Sequence, residues 1–265
     1  MPLSLIVLTD FFQAAHRALD YATSLAAPLR ARLVLLHVRE PGPGQPLPRV
    51  TNLSPEAVGL ALNCLTQELP VPAAAEIGRG SLPVAAADAV RRHHPAVLVL
   101  GRTASALAEE LPSIALTLLR AAPCPLLLVP AAPQPVALRR ILLAVDGNPF
   151  SLGEHAGTAR RLFSALQAEL TLWHSCASAA ADASAVADSV LRTGLTIELP
   201  AVHTCCVTAP EPAAAILAAL HTGAYDAVAL IARPRSFWGQ LFHRSVTARV
   251  LLASPVPVLV LPAVD

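Results

Sequence analysis

Aromatic side chains are scarce in this chain: they make up 4% of its 265 residues. A core must therefore be built from aliphatic side chains, and the hydrophobic fraction of 54%, much of it alanine, supplies them. An excess of charge is also missing, because the net charge is +1. Electrostatics therefore give no reason to expect nucleic acid or an anionic membrane as a partner. No apolar run reaches the roughly 18 residues that a membrane span needs.

A secretory leader is not evident either. The apolar start has no basic residues before it and is interrupted at Asp10, so we expect a soluble, cytoplasmic protein. The cysteines number five, an odd count, and they are scattered apart from one adjacent pair. This arrangement suits neither a disulfide framework nor a zinc site, and it predicts reduced, buried thiols. They are Cys64, Cys124, Cys176, Cys205 and Cys206.

Several motifs of catalysis are missing from the sequence. No Gly-x-Gly-x-x-Gly follows the first apolar run, and neither a phosphate-binding Gly-x-x-x-x-Gly-Lys-Ser/Thr loop nor a His-Glu-x-x-His helix occurs. Metal-binding carboxylates are not clustered, and no catalytic base stands out. The sequence therefore predicts a protein that is not an enzyme and that binds no metal.

The chain contains a long internal repeat. Leu5–Asp10 (LIVLTD) is echoed by Ile141–Asp146 (ILLAVD), and the Pro-flanked run that ends at Pro130 is echoed by one that ends at Pro262. The repeat length exceeds the roughly 20–50 residues of solenoid units, which indicates a duplicated domain. We expect a first domain at 1–130, a linker at 131–139 and a second domain at 140–265.

Short apolar runs alternate with segments of one-sided helical periodicity throughout both halves. Strands that are apolar on both faces are typical of parallel sheets covered by crossover helices. We therefore predict an α/β protein with two repeated domains, each an open five-stranded parallel sheet with helices on both faces. The predicted strands are 3–9, 31–38, 72–77, 96–100, 124–129, 140–145, 168–174, 197–207, 226–232 and 257–261. The predicted helices are 13–27, 54–68, 83–93, 113–121, 151–166, 181–193, 211–221 and 245–253, with a loop at 40–53.

Four polar residues stand where such sheets bind ligands, beyond the carboxyl ends of the strands. Asp10 and Asp146 each end a first strand. Such an Asp can hydrogen-bond a ligand or cap the next helix, and the sequence leaves both roles open. His37 and His174 lie near the ends of the second strands, where a hydrogen-bonded structural role is favoured over ligand binding.

The combination of features resembles the universal stress protein family. The resemblance rests on the five-strand alternation, the strand-ending Asp, the loop that Gly101 begins, and the helix that leads into Ala122–Pro125 and an aliphatic strand. It covers both halves, as in tandem members. It implies an adenine nucleotide alpha hydrolase-like fold, a non-enzymatic stress-response role, and pairing of the two halves through their last strands into an intramolecular pseudo-dimer. Further association into a homodimer is compatible with it, and the sequence identifies no protein partner.

Members of this family that bind ATP carry Gly-x-x-Gly, then about nine residues and Gly-Ser or Gly-Thr, so that bare backbone reaches the phosphates. The first copy here keeps Gly101 and Ser113, but Ala104 and Pro112 replace the other glycines. In the second copy the glycine positions hold Ala232, Arg235 and Arg244, and only Ser245 remains. The cradle is therefore degenerate in both copies, and more so in the second.

Two interpretations of these loops stay open. Arginines could receive an anion by side chain instead of backbone, or nucleotide binding has been lost; the arginines are Arg102, Arg233, Arg235 and Arg244. By resemblance, adenosine would lie beside Asp10 and Val38, and the phosphates of ATP would meet Gly101, Thr103 and Ser113. The counterparts Asp146, Arg235, Arg244 and Ser245 form a weaker candidate site. The alternative function is a nucleotide-independent scaffold that binds a protein partner or a small apolar ligand.

Overall fold

The computed structural model describes residues 2–10, 13–39, 54–102, 111–130, 137–175, 179–233 and 245–264. Several predicted features lie outside these ranges. They are the loop at 40–53, the linker residues 131–136, and the loops after the two fourth strands, which contain Thr103, Ala104, Arg235 and Arg244.

The first repeat is a regular alternation of strands and helices, as its apolar pattern predicts. Its strands are β1 (Ser4–Leu8), β2 (Arg32–Arg39), β3 (Ala73–Arg79), β4 (Ala96–Gly101) and β5 (Leu126–Val129). Its helices are α1 (Gln13–Leu29), α2 (Pro55–Glu68), α3 (Leu82–His93) and α4 (Leu111–Ala121).

The second repeat has the same order. Its strands are β6 (Arg140–Val145), β7 (Glu169–Ser175), β8 (Ala201–Val207), β9 (Ala227–Ala232) and β10 (Val258–Pro262). Its helices are α5 (Ala156–Ala165), α6 (Ala179–Leu191), α7 (Pro212–His221) and α8 (Val246–Ala253). The predicted fold class is confirmed: an α/β protein with a mostly parallel sheet and two repeats.

Both repeats belong to one ten-stranded sheet, in the order β3-β2-β1-β4-β5-β10-β9-β6-β7-β8. Neighbours are parallel everywhere except at the centre, where β5 and β10 pair antiparallel with Leu127 opposite Leu259. The pairing of the two halves through their last strands, which the resemblance implied, is thus present within the chain. Because the junction is antiparallel, the carboxyl ends of β1–β4 and of β6–β9 point in opposite directions.

One apolar layer lies on each face of this sheet, and each layer runs through both repeats. On one face, side chains of β1 and β2 pack with α1, α2 and α5, with Phe163 at 0% exposure among the largest buried groups. On the other face, side chains of β4 and β5 pack with α3, α4, α7 and α8. The core is aliphatic, as the low aromatic content requires.

Local sequence explains where two of the helices begin. At α2 the hydroxyl of Ser54 accepts a hydrogen bond from the amide of Ala57 at 3.2 Å, and Pro55 follows in the first turn. At α8 the hydroxyl of Ser245 accepts one from the amide of Ala248 at 3.1 Å. Both serines are N-caps that satisfy an otherwise unpaired helix amide. At α2, Pro55 stands in the first turn, where its missing N–H costs nothing.

Four expectations need correction. The helix predicted at 151–166 begins as a 3-10 turn, Gly153–His155, because Gly153 has φ +51°, and becomes α5 only at Ala156. The strand predicted from 197 begins at Ala201, since the preceding residues form turns with Gly194 and Glu198 at positive φ. The helix predicted from 113 already contains Leu111 and Pro112, which proline in a first turn permits. Cys64 is exposed on α2, whereas Cys124 is buried as expected, and burial raises the pKa of its thiol to about 12.

Two arginines cross between the repeats. The side chain of Arg102, directly after β4, donates to the carbonyl of Leu252 near the end of α8 at 2.8 Å. The side chain of Arg161 on α5 donates to the carbonyl of Leu29 at the end of α1 at 3.0 Å. Helix carboxyl ends carry unsatisfied carbonyls and partial negative charge, so each guanidinium stabilises a helix of the other repeat.

The central strand pair yields a prediction for stability. Changing Leu127 or Leu259 to Ala should each lower the free energy of unfolding by about 2–4 kcal/mol, because both side chains are buried in the shared layer. The double variant should cost less than the sum by about 1 kcal/mol, since the two face each other across the junction. Urea unfolding followed by circular dichroism measures all three.

The matched control pairs Leu127→Ala with Leu33→Ala. Leu33 is equally buried in the same layer but lies three strands away on β2, at about 14 Å from the sheet spacing. These two changes should add. Equal additivity for Leu127 with Leu259 would contradict a packed junction between the repeats.

Candidate functional site

The strand register brings three of the predicted first-repeat residues to one edge of the sheet. Leu8 is level with Leu36 of β2, and Val7 with Val99 of β4. Continued past the strand ends, this register puts Asp10 level with Val38 and Thr9 level with Gly101. Asp10, Val38 and Gly101 therefore lie together where the carboxyl ends of these strands meet, an arrangement we call the first carboxyl edge. Asp10 is exposed there, and Val38 and Gly101 are half-buried.

The two remaining first-repeat candidates differ in what can be said of them. Thr103 lies outside the described residues. Ser113 is exposed in the first turn of α4, two residues beyond Leu111. Its position within the helix differs from that of Ser245, which caps α8, so the two serines are not structurally equivalent in spite of their matching sequence context.

The second repeat forms the corresponding second carboxyl edge. Val145 is level with His174 of β7, and Ala144 with Leu230 of β9, which brings Asp146, Ser175 and Ala232 together. A pocket with a volume of about 340 Å³ opens at this edge. Its apolar wall consists of Ala144, Val145, Phe150, Trp173, Pro212, Ile216, Leu230, Ile231 and Val246, and its polar groups are Asp146, His174, Ser175, Arg233, Ser245 and Thr247.

A bidentate ion pair forms the polar rim of this pocket. Arg233 donates from Nε to Oδ2 of Asp146 at 3.1 Å and from Nη2 to Oδ1 at 2.9 Å. The same guanidinium donates to the carbonyls of Asn148 at 2.9 Å and Pro149 at 3.0 Å. A planar fork that meets both carboxylate oxygens is the strongest geometry such a pair can take. The anion that Arg233 recognises is therefore a carboxylate of this chain.

Asp146 has a further role in its own turn. Its Oδ1 accepts a hydrogen bond from the amide of Asn148 at 3.1 Å, which closes a turn of the kind that Asp side chains often make. Partial burial alone would raise the pKa of Asp146. The hydrogen bonds from Arg233 and Asn148, together with the charge of Arg233, outweigh that effect, so the pKa lies below its ordinary value.

A histidine lies at the same position of both repeats and makes the same hydrogen bond. Nδ1 of His37 lies 2.9 Å from the carbonyl oxygen of Thr9, and Nδ1 of His174 lies 3.0 Å from that of Val145. A carbonyl oxygen only accepts, so Nδ1 carries the proton in each ring. Each buried imidazole thus ties its strand to the residue before the strand-ending Asp, which agrees with the structural role that the sequence favoured.

Gly147 fits this arrangement because it has no side chain. Its φ is +79°, and a Cβ there would lie 2.9 Å from Cε1 of His174. Any other residue at this position would strain the backbone, because φ is positive, and would overlap the imidazole of His174. The dipeptide Asp146-Gly147 is a turn signal that the sequence contains.

The arginines that directly follow the two fourth strands have different partners. Arg102 and Arg233 both follow a fourth strand directly. Arg102 reaches out of its repeat to Leu252, whereas Arg233 turns into its own carboxyl edge to Asp146. The sequence pattern treats these two residues alike, and only the fold separates their roles.

Other residues of the second edge were not singled out in the sequence. Phe150, Trp173 and Ile216 belong to the apolar wall. The sequence does contain a signal for Trp173. It is one of two tryptophans in the chain, and it precedes His174 at the end of a buried strand, next to the edge where ligands bind. Arg235 and Arg244 lie outside the described residues. Within the described ranges, no group of three potential metal ligands comes together.

The contact between Gly147 and His174 predicts a stability difference between two glycines. Gly147→Ala should lower the free energy of unfolding by about 2–3 kcal/mol, because positive φ and steric overlap act together. Gly223→Ala is the control: Gly223 has φ +75° but open space around its α-carbon, so its cost should be about 1 kcal/mol. Equal costs in thermal or urea unfolding would show that the imidazole contact is unimportant.

The ion pair predicts a pH dependence. Because the pKa of Asp146 is depressed, the pair contributes stability above the unfolded-state value of about 3.9, and this contribution is lost as pH falls through the folded pKa. Arg233→Gln should therefore cost about 1 kcal/mol at neutral pH, a modest figure because the carboxylate is half-exposed, and nearly nothing in strong acid.

Arg91→Gln provides the control for this experiment, since Arg91 pairs with Asp88 on the exposed surface of α3. It should change stability by less than about 0.5 kcal/mol at any pH. A cost of Arg233→Gln that stays constant from neutral pH into strong acid would contradict the assigned pair.

Comparison with solved structures shows where this architecture recurs. A universal stress protein from Archaeoglobus fulgidus DSM 4304 matches with a TM-score of 0.70 at 16% identity, over 99% of this chain and 97% of that one. A functionally unknown protein from Pseudomonas aeruginosa PAO1 matches with a TM-score of 0.65 at 19% identity, over 98% and 92%. The cytoplasmic domain of a prokaryotic cation chloride cotransporter matches with a TM-score of 0.59 at 15% identity, over 100% and 96%. At these identities the likeness concerns the fold alone.

Comparisons of the sequence, unlike those of the fold, can show the family. No curated protein sequence matches the chain. None of the helices in the described ranges is long and apolar enough to cross a membrane. The sequence pattern of the universal stress protein family matches twice, over residues 3–130 and over residues 137–262. This chain therefore belongs to the universal stress protein family, as a tandem member that contains two copies of the family's domain.

Proposed function

We propose that this chain is a non-enzymatic binding protein of the stress response whose first repeat binds an adenine nucleotide of the ATP class. The nucleotide would contact Asp10, Val38, Gly101, Thr103 and Ser113. The observation that carries the proposal is the convergence of the first three at the first carboxyl edge, where parallel sheets receive ligands. Family membership supports the regulatory, non-catalytic role.

The chemistry of Gly101 supports a phosphate near this edge. A glycine at the end of β4 leaves the backbone open to close approach by an anion. In the second repeat the register puts Ile231 at this position, because Val99 is level with Leu127 and Ala229 with Leu259, the two residues that face each other at the junction. A branched side chain that lines the pocket thus stands where the first repeat has bare backbone, which favours the first repeat as the nucleotide site.

The ion pair at the second edge also favours the first repeat as the nucleotide site. Both oxygens of Asp146 already accept hydrogen bonds from Arg233. A ribose or base that approached Asp146 would have to displace a bidentate guanidinium, and each lost charge-assisted bond costs about 1.5–3 kcal/mol. We therefore propose one nucleotide per chain. The proposal also includes a cytoplasmic location and a capacity for homodimer formation beyond the internal pairing.

The test is calorimetric titration of ATP into the purified chain. We expect binding with a stoichiometry of one. Gly101→Val should weaken it at least about tenfold, because a branched side chain would occupy the backbone surface that meets phosphate. Circular dichroism of the variant checks that the fold is retained.

The matched control is Ala232→Gly, which gives the second repeat a glycine at the position aligned with Gly101 in sequence. It should leave both affinity and stoichiometry unchanged, since Arg233 still covers Asp146. Absence of binding at millimolar ATP would refute the nucleotide proposal. An unchanged affinity in Gly101→Val would place any nucleotide site elsewhere.

A further inference from the structure

The pocket of the second repeat has a chemistry unlike that of a phosphate site. Its wall presents Phe150, Trp173, Ile216, Leu230 and Val246, which together form an apolar lining with two aromatic rings. Its volume of about 340 Å³ is at the lower end of the roughly 300–1,000 Å³ of small-molecule pockets. A compact apolar molecule suits this space.

The charges at the rim neutralise each other. Asp146 and Arg233 form a closed pair, and four of the five N–H groups of Arg233 are engaged with Asp146, Asn148 and Pro149. A phosphate would have to compete with a carboxylate already held in bidentate geometry. Charge at the rim therefore gives no preference for an anionic ligand.

Two hydroxyls in the lining are also committed. Ser175 donates to the carbonyl of Ala209 at 2.9 Å, and Ser245 accepts from the amide of Ala248 as the cap of α8. The hydroxyl proton of Ser245 and the hydroxyl of Thr247 remain as adaptable groups. The polar character of the pocket is thus concentrated in very few atoms.

His174 supplies the most directional of these atoms. Its Nδ1 donates to the carbonyl of Val145, so in the neutral ring Nε2 is an acceptor with its lone pair unprotonated. No partner for Nε2 lies among the residues that the structure describes, although His174 lines the pocket. Because no buried side-chain nitrogen or oxygen of the described residues lacks a hydrogen-bond partner, Nε2 is accessible rather than buried. An accessible, unpaired acceptor in an apolar lining favours a ligand that donates one hydrogen bond.

We infer that the second repeat binds a small, uncharged, apolar molecule, of the size of one or two fused rings, that donates a hydrogen bond to Nε2 of His174. This site is separate from the nucleotide site proposed for the first repeat and does not depend on it. A tandem chain with these two sites would respond to two chemically different ligands at opposite edges of one sheet.

Indole tests the inference because it is a bicyclic ring with one N–H donor, and 1-methylindole is the same ring without the donor. Calorimetry at pH 8 should show indole bound at one site per chain. Binding of 1-methylindole should be about three- to tenfold weaker, which corresponds to one neutral hydrogen bond. Equal affinities, or no indole binding at millimolar concentration, would overturn the inference.

Two variants locate the site. Val246 is 36% exposed in the first turn of α8 at the pocket, so Val246→Trp should fill the pocket and abolish indole binding. Ile114→Trp changes the residue that follows Ser113 in the first repeat, as Val246 follows Ser245 in the second, and should leave indole binding intact. If Val246→Trp binds indole as the unaltered chain does, the pocket is not the site.

Nuclear magnetic resonance of histidine nitrogens gives a readout on the unaltered chain, whatever the variants do. Both His37 and His174 should show the Nδ1-protonated form. Indole should shift the nitrogen resonance of Nε2 in His174. The Nε2 resonance of His37, its counterpart in the first repeat, should stay unchanged. Equal shifts in both rings, or none in His174, would overturn the assigned contact.

A loss of ATP binding rather than indole binding in Val246→Trp would instead assign the nucleotide to the second repeat.

Discussion

The antiparallel pairing of β5 with β10 determines the rest of this structure. Each strand is apolar along its length, and an exposed edge of that kind would invite association with other chains. The junction removes both edges at once and lets an apolar layer run through both repeats on each face of the sheet. A duplicated chain thereby becomes a single ten-stranded unit.

The direction of this junction explains how the repeats have diverged. Because β5 and β10 run antiparallel, the carboxyl end of β4 lies beside the carboxyl end of α8, where free carbonyls attract a cation. Arg102 uses that position and leaves its own carboxyl edge to contact Leu252. Arg233 holds the same place in sequence but pairs with Asp146. One repeated arginine therefore stabilises the interface in one copy and closes the ligand edge in the other.

The sequence predicts most of the fold because the signals are local. Val, Leu and Ile runs bounded by Pro and Gly mark the strands within a few residues, and Ser54 and Ser245 mark helix starts through their own side chains. The predicted element boundaries are wrong near Gly153, Gly194 and Glu198, where the backbone takes positive φ. Glycine gives a sequence cue at the first two positions, whereas nothing in the sequence marks Glu198.

The candidate site is less accessible to such reasoning. Asp146 and Arg233 are 87 residues apart, and nothing local indicates that an arginine suited to an external anion meets an internal one. The structural role of His37 and His174 could be predicted from their buried strands, whereas the apolar wall around Trp173 depends on helices and strands distant in sequence. Long-range packing, rather than residue type, decides that Arg233 pairs with Asp146 and that Arg102 contacts the other repeat.

The central claim is that the two carboxyl edges have become chemically different, one suited to a nucleotide and one to a small apolar molecule. A crystal structure of the chain grown with both ATP and indole tests it most directly. We expect density for the nucleotide beside Gly101 and Asp10 only, and for indole beside Trp173 and His174, with the pair of Asp146 and Arg233 intact. A nucleotide seated against Asp146, with Arg233 displaced, would contradict the account.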